Sequence, residues 1–276
     1  MGQSPILTTP HMSMPRLGLG TWPLRGAEGQ AAVESALDLG YRHVDTAEMY
    51  GNEVEVGAAI RASGLARRDI FITTKVWFDK PDGPRFRDAA LACLDRLGTA
   101  YVDLLLVHWP SPQLDLPSVL EALEGLRQAG RARAVGVSNF PPGLLRRALD
   151  LQITPLACLQ VEHHLLLDQS ALLAITGPAG MVLTSYTPLG KGAVAEGPVV
   201  GGIAALLGAT PAQVALAYLL AKGAVAAIPK AASPARQREN LGALDLALTP
   251  ADMAALEALP KGRRFVNPDF APDWNG

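Results

Sequence analysis

Short apolar runs alternate with longer amphipathic runs along the whole chain, and this alternation limits the possible folds more than any other feature. Each short run is rich in β-branched residues and is typical of a strand buried on both faces. Strands that alternate with helices predict a parallel sheet with its helices outside, and eight such units predict an α/β fold of the (β/α)8 TIM barrel type. The eight predicted strands cover residues 16–22, 42–47, 70–76, 102–108, 132–139, 157–163, 181–187 and 224–230.

The amphipathic runs predict helices over residues 30–40, 53–64, 87–98, 117–130, 143–150, 170–176, 211–223 and 233–244. Glycines, which favour the left-handed conformation that ends a helix, close five of them: Gly40, Gly64, Gly98, Gly130 and Gly223. Prolines, whose missing N–H costs little in a first turn, open three: Pro117, Pro211 and Pro234. We also predict a small hairpin at residues 6–15, plugging the bottom of the barrel, and an extra C-terminal helix at 249–259. No linker interrupts the pattern, so residues 1–276 are predicted to form one domain.

Charge, cysteine content and the N-terminus exclude several classes of protein. The formal net charge is −2 and no basic block stands out, so a nucleic-acid partner is not expected. The N-terminus lacks the basic and apolar regions of a signal peptide, and no apolar stretch approaches the ~20 residues of a spanning helix. Cys93 and Cys158 are predicted to be free thiols. We expect a cytoplasmic protein with no membrane partner, and a monomer because no exposed apolar helix face stands out.

No motif predicts a metal site or a nucleotide-binding loop. His163 and His164 are adjacent, and neighbouring strand residues face opposite ways, so they cannot easily share a metal ion. His11 and His43 are expected to be structural. The Gly-Leu-Gly at 18–20 is only a fragment of a dinucleotide fingerprint, and a tight strand end packed against a neighbour explains it better.

Four residues capable of proton chemistry stand at or just past the ends of predicted strands. They are Asp45, Tyr50, Lys75 and His108. Alone, each has an ordinary explanation. Asp45 could cap a helix and Tyr50 could pack in a loop, while Lys75 could be a solvated strand end and His108 a histidine at the barrel mouth. Together they favour a functional site, because the C-terminal ends of the strands meet at one face of a barrel and active sites lie there.

These four side chains predict acid–base chemistry on a carbonyl group. A free tyrosine has a pKa near ~10, and a nearby ammonium stabilises the phenolate and lowers that pKa. We therefore expect Lys75 to lower the pKa of Tyr50, Asp45 to keep Lys75 charged, and His108 to orient or polarise a carbonyl. Such an arrangement is a general acid beside an electrophile.

Two further patterns indicate a ligand pocket. Trp22, Trp77 and Trp109 each follow a strand end and are expected to line an apolar pocket, with ordinary packing under loops as the alternative. After the eighth strand, Lys230 and Arg236 flank the N-terminus of a helix, where free N–H groups bind phosphate. The alternative there is a solvated helix end.

In order along nearly the whole chain, the sequence resembles the aldo-keto reductase superfamily. The matching segments are GLGTW, GYRHVDTAEMYGNE, ITTKVW, YVDLLLVHWP, GVSNF, QVE, SYTPLG and IPKAASPARQREN. HWPSP at 108–112 and the ending at 265–275 are most similar to the bacterial 2,5-diketo-D-gluconate and methylglyoxal reductases. The resemblance implies an NADP-dependent oxidoreductase that reduces aldehydes or ketones to alcohols, with small polar carbonyls such as methylglyoxal or 2,5-diketo-D-gluconate as substrates.

The resemblance also implies roles for individual residues. Tyr50 would be the general acid that accompanies hydride transfer, with Asp45, Lys75 and His108 as its partners. Substrate would be bound by Trp22, Tyr50, Trp77, His108 and Trp109. NADPH would be bound by Thr21, Trp22, Asp45, Ser138, Asn139, Gln160, Tyr186, Thr187, Pro188, Leu189, Gly190, Lys230, Ser233, Arg236, Glu239 and Asn240.

The resemblance also implies which of these residues bind the nicotinamide, the pyrophosphate, the 2′-phosphate and the adenine of NADPH. The nicotinamide carboxamide would be held by Ser138, Asn139 and Gln160, and the nicotinamide ring would stack on Tyr186. Leu189 and Gly190 would lie along the pyrophosphate. The adenosine 2′-phosphate would be bound by Lys230, Ser233 and Arg236, and the adenine side by Glu239 and Asn240.

The sequence departs from the family pattern in three places. His163-His164-Leu165 replaces a turn that contains Pro-Tyr in many relatives, and Ala231 replaces a frequent serine, which removes one phosphate contact. The loop at 191–199 and the C-terminal tail are short, so we expect an open pocket. Two other classes remain: a Schiff-base lyase that uses Lys75 as nucleophile, and a binding protein that senses NADP(H).

Overall fold

A computed structural model describes residues 4–274 and has the predicted barrel architecture. Among these residues, eight parallel strands are hydrogen-bonded to one another in chain order. They are β3 (Leu19–Gly20), β4 (His43–Asp45), β5 (Phe71–Val76), β6 (Val102–Val107), β7 (Ala132–Ser138), β8 (Leu156–Glu162), β9 (Val182–Tyr186) and β10 (Val225–Ala227). Each strand overlaps one of the eight sequence predictions, so the predicted fold class is confirmed.

Within the same residues, ten α-helices connect or follow the strands. They are α1 (Gly26–Asp38), α2 (Glu53–Ala62), α3 (Gly83–Leu97), α4 (Leu116–Gln128), α5 (Pro142–Asp150), α6 (Ser170–Thr176), α7 (Pro198–Leu207), α8 (Pro211–Leu220), α9 (Pro234–Gly242) and α10 (Pro250–Glu257). Side chains cap several of them: Asp82 accepts the Arg85 N–H at 3.0 Å, and Thr210 and Gln213 form a capping box at α8. The predicted extra C-terminal helix is α10.

The first and last strands of the barrel meet at a closed seam. The Gly18 N–H donates to Ala227 O at 2.9 Å, and the Gly20 N–H donates to Pro229 O at 3.2 Å. These bonds join the two edges of the sheet, so the strand ends that carry polar residues come together around one mouth.

Small residues allow this seam to form. A Cβ on Gly20 would lie 2.6 Å from the Ile228 carbonyl oxygen, and one on Gly18 would lie 2.4 Å from His43 Nδ1. Only a residue without a side chain lets the backbones approach so closely. The Gly-Leu-Gly segment is therefore a tight strand end packed against its neighbours, as predicted, and His43 has the expected structural position.

An antiparallel hairpin closes the other end of the barrel, as predicted. It consists of β1 (Ile6–Thr8) and β2 (Ser13–Pro15). Met14 is fully buried and packs with Phe71 and other side chains near the N-terminal ends of the barrel strands, and Leu7 packs against the same cluster. Side chains thus fill the bottom of the barrel, which leaves its C-terminal mouth as the open end.

The segment expected to be a short loop, 191–199, leads into a helix that the sequence pattern does not reveal. A short 3-10 helix at Gly190–Ala195 is followed by α7. Gly201 and Gly202 lie inside α7 and have low helix propensity, and Leu206 is 86% exposed, so the helix lacks a clear amphipathic stripe.

No single helix within residues 4–274 is long and apolar enough to cross a membrane. Taken together, α7 and α8 pass such a test by length and composition, but they are bent by 93° relative to each other. The residues of α8 from Val214 to Leu220 are buried in the protein core.

Gly20→Ala is expected to destabilise the fold by roughly 1–3 kcal/mol, because the added methyl group would push the Ile228 carbonyl away from the seam. The matched control is Gly125→Ala in α4, where no neighbouring atom meets the added carbon and helix propensity predicts a gain of ~0.5–1 kcal/mol. Urea unfolding of both variants measures the two changes. Equal free energies of unfolding would contradict the tight seam.

Candidate active site

An acid, an amine and a phenol meet at the C-terminal ends of β4 and β5. Asp45 pairs in register with Thr73, so Lys75 stands two residues further along and points to the same face of the sheet. Lys75 Nζ donates to Asp45 Oδ1 at 2.5 Å, to Thr46 O at 2.9 Å and to Tyr50 Oη at 3.3 Å. The two charged side chains are buried, so water competes little with these contacts.

A short 3-10 helix, Glu48–Tyr50, carries the phenol and follows β4. The Glu48 carboxylate ties this helix to the segment after β5, because it accepts the Trp77 backbone N–H at 2.9 Å and pairs with Lys80 at 2.9 Å. His108 follows β6 and lies beside the phenol of Tyr50, with 5.6 Å between the ring centroids. The four polar residues predicted from the strand ends are therefore brought together.

Burial and the neighbouring ammonium act in opposite directions on Tyr50. Burial raises the pKa of the phenol, Lys75 lowers it, Asp45 adds a smaller rise, and the net pKa lies above the usual 10.0. The expectation that Lys75 brings this pKa below its ordinary value is wrong, because removing a phenolate from water outweighs one buried positive charge. Tyr50 therefore carries its proton at neutral pH, as a proton donor requires.

Lys75 is held in its charged form. Burial lowers the pKa of this amine, but Asp45 and Tyr50 together raise it by more, so the net pKa lies above 10.5. Gln160 holds the carboxylate from β8, on the opposite side of the barrel, by donating from Nε2 to Asp45 Oδ2 at 2.8 Å. The Lys75 side chain is fully buried and does not line the cavity described below, so a nucleophilic role at Nζ gains no support.

His108 is a neutral imidazole at the wall of the same cavity. Burial, and then the charge of Lys75, lowers the pKa of His108 well below 6.5. Among the described residues, its Nδ1 has no hydrogen-bond partner. A neutral ring carries one N–H, which can be offered to a ligand oxygen.

Asn139, Gln160 and Tyr186 form a second polar group in the cavity. Tyr186 Oη donates to Asn139 Oδ1 at 2.7 Å, and Asn139 Nδ2 donates to His108 O at 3.0 Å. The Ser138 hydroxyl donates to Gln160 O at 2.8 Å, accepts from Asn139 Nδ2 at 3.0 Å and does not line the cavity. The structure therefore brings together Ser138, Asn139 and Gln160, the three residues predicted to hold the carboxamide. Ser138 lies behind the side chains of Asn139 and Gln160 and away from the cavity.

Three non-glycine residues of the cavity wall have positive φ, namely Asn139 at 61°, Thr187 at 49° and Lys191 at 54°. Asparagine tolerates this left-handed conformation, whereas a β-branched threonine rarely adopts it. Such strain persists where the surroundings fix it and is common at functional sites. The segment that begins at Thr187 therefore has a geometry that stability alone would not favour.

A cavity of about 550 Å³ opens at the barrel mouth, beside the polar residues described above. Its walls include Thr21, Trp22, Asp45, Tyr50, Trp77, His108, Trp109, Asn139, Gln160, Tyr186, Thr187 and Lys230 from the predicted set. Sequence reasoning missed its other walls, which include Met49, Lys191, Ile228, Phe265, Val266, Asn267, Pro268 and Phe270. The last five belong to the C-terminal tail.

The C-terminal tail covers one side of the cavity, and the expectation of an open pocket stays a prediction. The Phe270 ring lies edge-on to Trp77, with 5.4 Å between centroids, and to Trp109, with 5.5 Å. These aromatic contacts join the tail to the rim predicted from the tryptophans. Because they form between residues more than 150 positions apart, no local pattern could have signalled them.

Lys230 connects this cavity to a second one of about 510 Å³, which lies between the starts of α1 and α9. Ser233 caps α9 by accepting the Arg236 N–H at 3.4 Å, and both residues are exposed. The predicted cofactor residues that line neither cavity are Ser138, Pro188, Leu189, Gly190, Ser233, Arg236, Glu239 and Asn240.

Within residues 4–274, no three His, Cys, Asp or Glu side chains form a cluster that could hold a metal ion. His163 Nδ1 is hydrogen-bonded to Ser185 Oγ at 3.0 Å, whereas His164 Nε2 is bonded to Glu162 Oε1 at 3.0 Å. The adjacent rings therefore have separate partners.

Comparison with known proteins identifies the family. The Aldo/keto reductase family model matches residues 16–261. The chain belongs to the aldo-keto reductase family. An aldo-keto reductase from Mycobacterium sp. (strain KMS) is 38% identical over 270 residues, which are 98% of this chain and 97% of the relative.

Solved structures of this family have the same fold. A crystal structure assigned provisionally as a 2,5-diketo-D-gluconic acid reductase B has a TM-score of 0.92 at 42% identity, covering 95% of this chain and 94% of the other. The thermostable aldo-keto reductase Tm1743, in complex with the inhibitor epalrestat, has a TM-score of 0.87 at 34% identity, covering 92% and 99%. The family and the fold predicted from the sequence are confirmed.

Family membership supports an oxidoreductase that reduces carbonyl groups of small molecules. Aldo-keto reductases generally use NAD(P)H. The polar residues at the floor of the cavity and the aromatic residues around it are consistent with this chemistry, since polar groups can move a proton and aromatic walls can exclude water.

Lowering the pH is expected to destabilise the fold in part through His163. Burial, followed by the charge of Lys222, lowers the pKa of His163 from 6.5 to about 3. Between these values the unfolded chain binds a proton that the folded chain excludes. Stability is therefore lost as the pH falls from 6.5 toward 3, by on the order of 1 kcal/mol per pH unit.

Urea unfolding at about pH 6, 5 and 4 measures this dependence. His163→Gln keeps a hydrogen-bonding side chain near Ser185 but cannot titrate, so it should lose less stability per pH unit than the wild type. The control is His11→Gln, because the His11 ring is exposed. If His163→Gln lost as much free energy of unfolding per pH unit as the wild type, the attribution of this loss to His163 would be contradicted.

Proposed function

We propose that this aldo-keto reductase reduces aldehydes and ketones to alcohols with NADPH, using Tyr50 as the general acid. The observation that supports this proposal most strongly is the protonated phenol in the cavity wall, 3.3 Å from the buried ammonium of Lys75. Asp45 pairs with that ammonium at 2.5 Å. A phenol backed by a fixed positive charge can give its proton to an oxygen that gains negative charge.

The proposed reaction assigns one step to each residue. NADPH, when bound, supplies the hydride that adds to the carbonyl carbon of the substrate. Tyr50 gives its Oη proton to the carbonyl oxygen, so one O–H bond breaks as the alcohol O–H forms. The Lys75 ammonium stabilises the phenolate that results, and His108 orients the carbonyl by donating a hydrogen bond from its neutral ring.

The polar residues of the cavity fit a nicotinamide group. Gln160 Oε1 accepts no hydrogen bond from residues 4–274, and Asn139 Oδ1 accepts only one, from Tyr186. These oxygens match the two N–H groups of a carboxamide. The Tyr186 ring lines the cavity beside them and offers an aromatic face for stacking.

The remainder of the cofactor is proposed to extend from Thr187 toward α9. Pro188, Leu189 and Gly190 directly follow Thr187, whose strained backbone lies at the cavity wall. This position is suitable for the pyrophosphate. Glu239 and Asn240, one turn beyond Arg236 on α9, are proposed to contact the adenine.

A preference for NADPH is proposed to depend on the cations at the start of α9. Lys230 lines both cavities, and Arg236 lies in the first turn of the helix that Ser233 caps. A helix N-terminus attracts phosphate, and two cations favour the 2′-phosphate over a ribose hydroxyl. Ala231 is buried and supplies no hydroxyl there.

The dimensions and walls of the cavity favour small substrates. Its volume of about 550 Å³ must hold the nicotinamide end of the cofactor together with the substrate. Tryptophans and Phe270 form apolar walls, while Asn267 and Lys191 add polar groups. We therefore propose small polar carbonyl compounds such as methylglyoxal and 2,5-diketo-D-gluconate.

Tyr50→Phe is expected to lower turnover by ~10²–10⁴-fold while NADPH still binds, because the variant loses the proton donor but keeps the ring. Loss of NADPH absorbance with methylglyoxal and with 2,5-diketo-D-gluconate measures turnover. The matched control is Tyr41→Phe, since that buried hydroxyl donates to Gln237 O away from the cavity.

Unchanged turnover in Tyr50→Phe would contradict the proposed acid. If the wild-type protein bound NADPH tightly but reduced no carbonyl in a broad panel, the NADP(H)-sensing alternative would replace the reductase. If borohydride trapped a carbonyl substrate on Lys75, the Schiff-base alternative would replace it.

Replacing both Lys230 and Arg236 by Met is expected to lower the ratio of kcat/KM for NADPH to that for NADH by at least about tenfold, since each cation is proposed to make a charge-assisted hydrogen bond to the 2′-phosphate. The control is Arg238→Met, an exposed cation on the same helix outside the proposed contacts. A ratio that stays at the wild-type value in the double variant would rule out this phosphate site.

A further inference from the structure

A buried carboxylate joins the C-terminal tail to the end of β8. Glu162 is fully buried; its Oε1 accepts the Phe265 N–H at 2.7 Å and its Oε2 accepts the Val266 N–H at 3.0 Å. The Arg264 guanidinium lies 3.8 Å from Oε2. An ionised carboxylate removed from water needs such donors, and here the tail supplies them.

His164 completes the contacts of this carboxylate. Its Nδ1 accepts the Leu166 N–H at 3.2 Å, so the ring proton is on Nε2, which donates to Glu162 Oε1 at 3.0 Å. The ring also packs against Phe265, with 5.3 Å between centroids. His164 belongs to the segment that replaces the Pro-Tyr turn of many relatives. Its ring is thus a third hydrogen-bond donor to the Glu162 carboxylate that holds the tail.

The loop after β9 holds Phe265 from its other side. Lys191 Nζ donates to the Phe265 carbonyl oxygen at 3.0 Å. Gly190 lies close to the ring, since a Cβ there would be 3.1 Å from Phe265 Cε2. Phe265 is therefore fixed through its N–H by β8, and through its carbonyl and ring by the loop.

The fixed residues lead directly into the cavity wall. Phe265, Val266, Asn267, Pro268 and Phe270 line the cavity, whereas Glu162 does not. We propose that Glu162 is a positioning residue that sets this wall, and so selects among carbonyl substrates by their bulk. The proposal rests on the proposed reductase function, because substrate selection presupposes turnover. A bulky aromatic aldehyde depends on the wall, whereas methylglyoxal is small enough to depend on it little.

The contacts of the Glu162 carboxylate with the Phe265 and Val266 N–H groups form a clamp on the tail. Limited trypsin digestion tests this clamp without any assay of activity. Lys261, Arg263 and Arg264 are trypsin sites in the tail. Glu162→Gln replaces one acceptor oxygen by an N–H₂ group that faces a backbone N–H, so we expect cleavage at these sites to be about tenfold faster than in the wild type. Release of the C-terminal peptide, measured by mass spectrometry, gives the rate.

The matched control is Glu53→Gln. Glu53 is also a buried carboxylate, bonded to Thr74 at 2.6 Å and paired with an arginine, but no tail residue contacts it among those described. Faster tail cleavage in Glu162→Gln than in Glu53→Gln supports the clamp. Equal cleavage in the two variants would overturn it, because general destabilisation would then explain the effect.

Kinetics test the effect of the wall on substrates. In Glu162→Gln, KM for 4-nitrobenzaldehyde should change by about fivefold more than KM for methylglyoxal, and this change should exceed any fall in kcat. Equal changes for the two aldehydes would overturn the selection role. If the wild-type protein reduced no carbonyl in the broad panel, the proposed function would fail, whereas the trypsin result would still decide the clamp.

Hydrogen exchange of the wild-type protein covers the case in which Glu162→Gln does not fold. The Phe265 and Val266 amides should exchange as slowly as the Arg263 amide, which donates to Leu166 O at 2.8 Å. Rapid exchange at both amides would contradict the clamp without the use of any variant.

Discussion

The buried ion pair between Lys75 and Asp45 is the interaction on which the site depends. A charged amine without contact with water costs several kcal/mol unless its partners are close and well oriented. Here the carboxylate at 2.5 Å, the Thr46 carbonyl and the Tyr50 hydroxyl supply those partners, and Gln160 holds the far oxygen of the carboxylate. The barrel makes this possible because β4, β5 and β8 all end at the same mouth. Removal of either Lys75 or Asp45 would leave the other as an unpaired buried charge. The ion pair therefore depends on the strand ends that hold it, and the packing of those strand ends depends on the pair.

This arrangement gives a fixed charge and a protonated acid at one point. Burial keeps Tyr50 protonated and His108 neutral, while Asp45 keeps Lys75 charged. Each group is therefore in the form that proton donation to a carbonyl oxygen requires. The less regular parts of the site have a different role: the tail and the loop after β9 shape the space above the acid, and the clamp at Glu162 connects them.

Much of the fold could be predicted from the sequence, because its signals are local. Apolar runs located the eight strands, and the polar residues at their ends located Asp45, Tyr50, Lys75 and His108. The direction of the Tyr50 pKa could not be obtained in this way, since it depends on how far water is excluded. The helix α7 was missed because two glycines and an exposed leucine obscure its pattern. The tail's place in the cavity wall was missed because its contacts, such as Phe270 with Trp77 and Phe265 with Glu162, join residues far apart in sequence.

The most direct test of the proposed chemistry follows the hydride itself. The protein would be incubated with methylglyoxal and NADPH deuterated at the transferring position of C4, and the alcohol product analysed by mass spectrometry and NMR. Hydride transfer predicts one deuterium on the new carbinol carbon and none on the hydroxyl oxygen, whose hydrogen is delivered as a proton and exchanges with water. An alcohol product without deuterium at that carbon would contradict direct hydride transfer to the carbonyl.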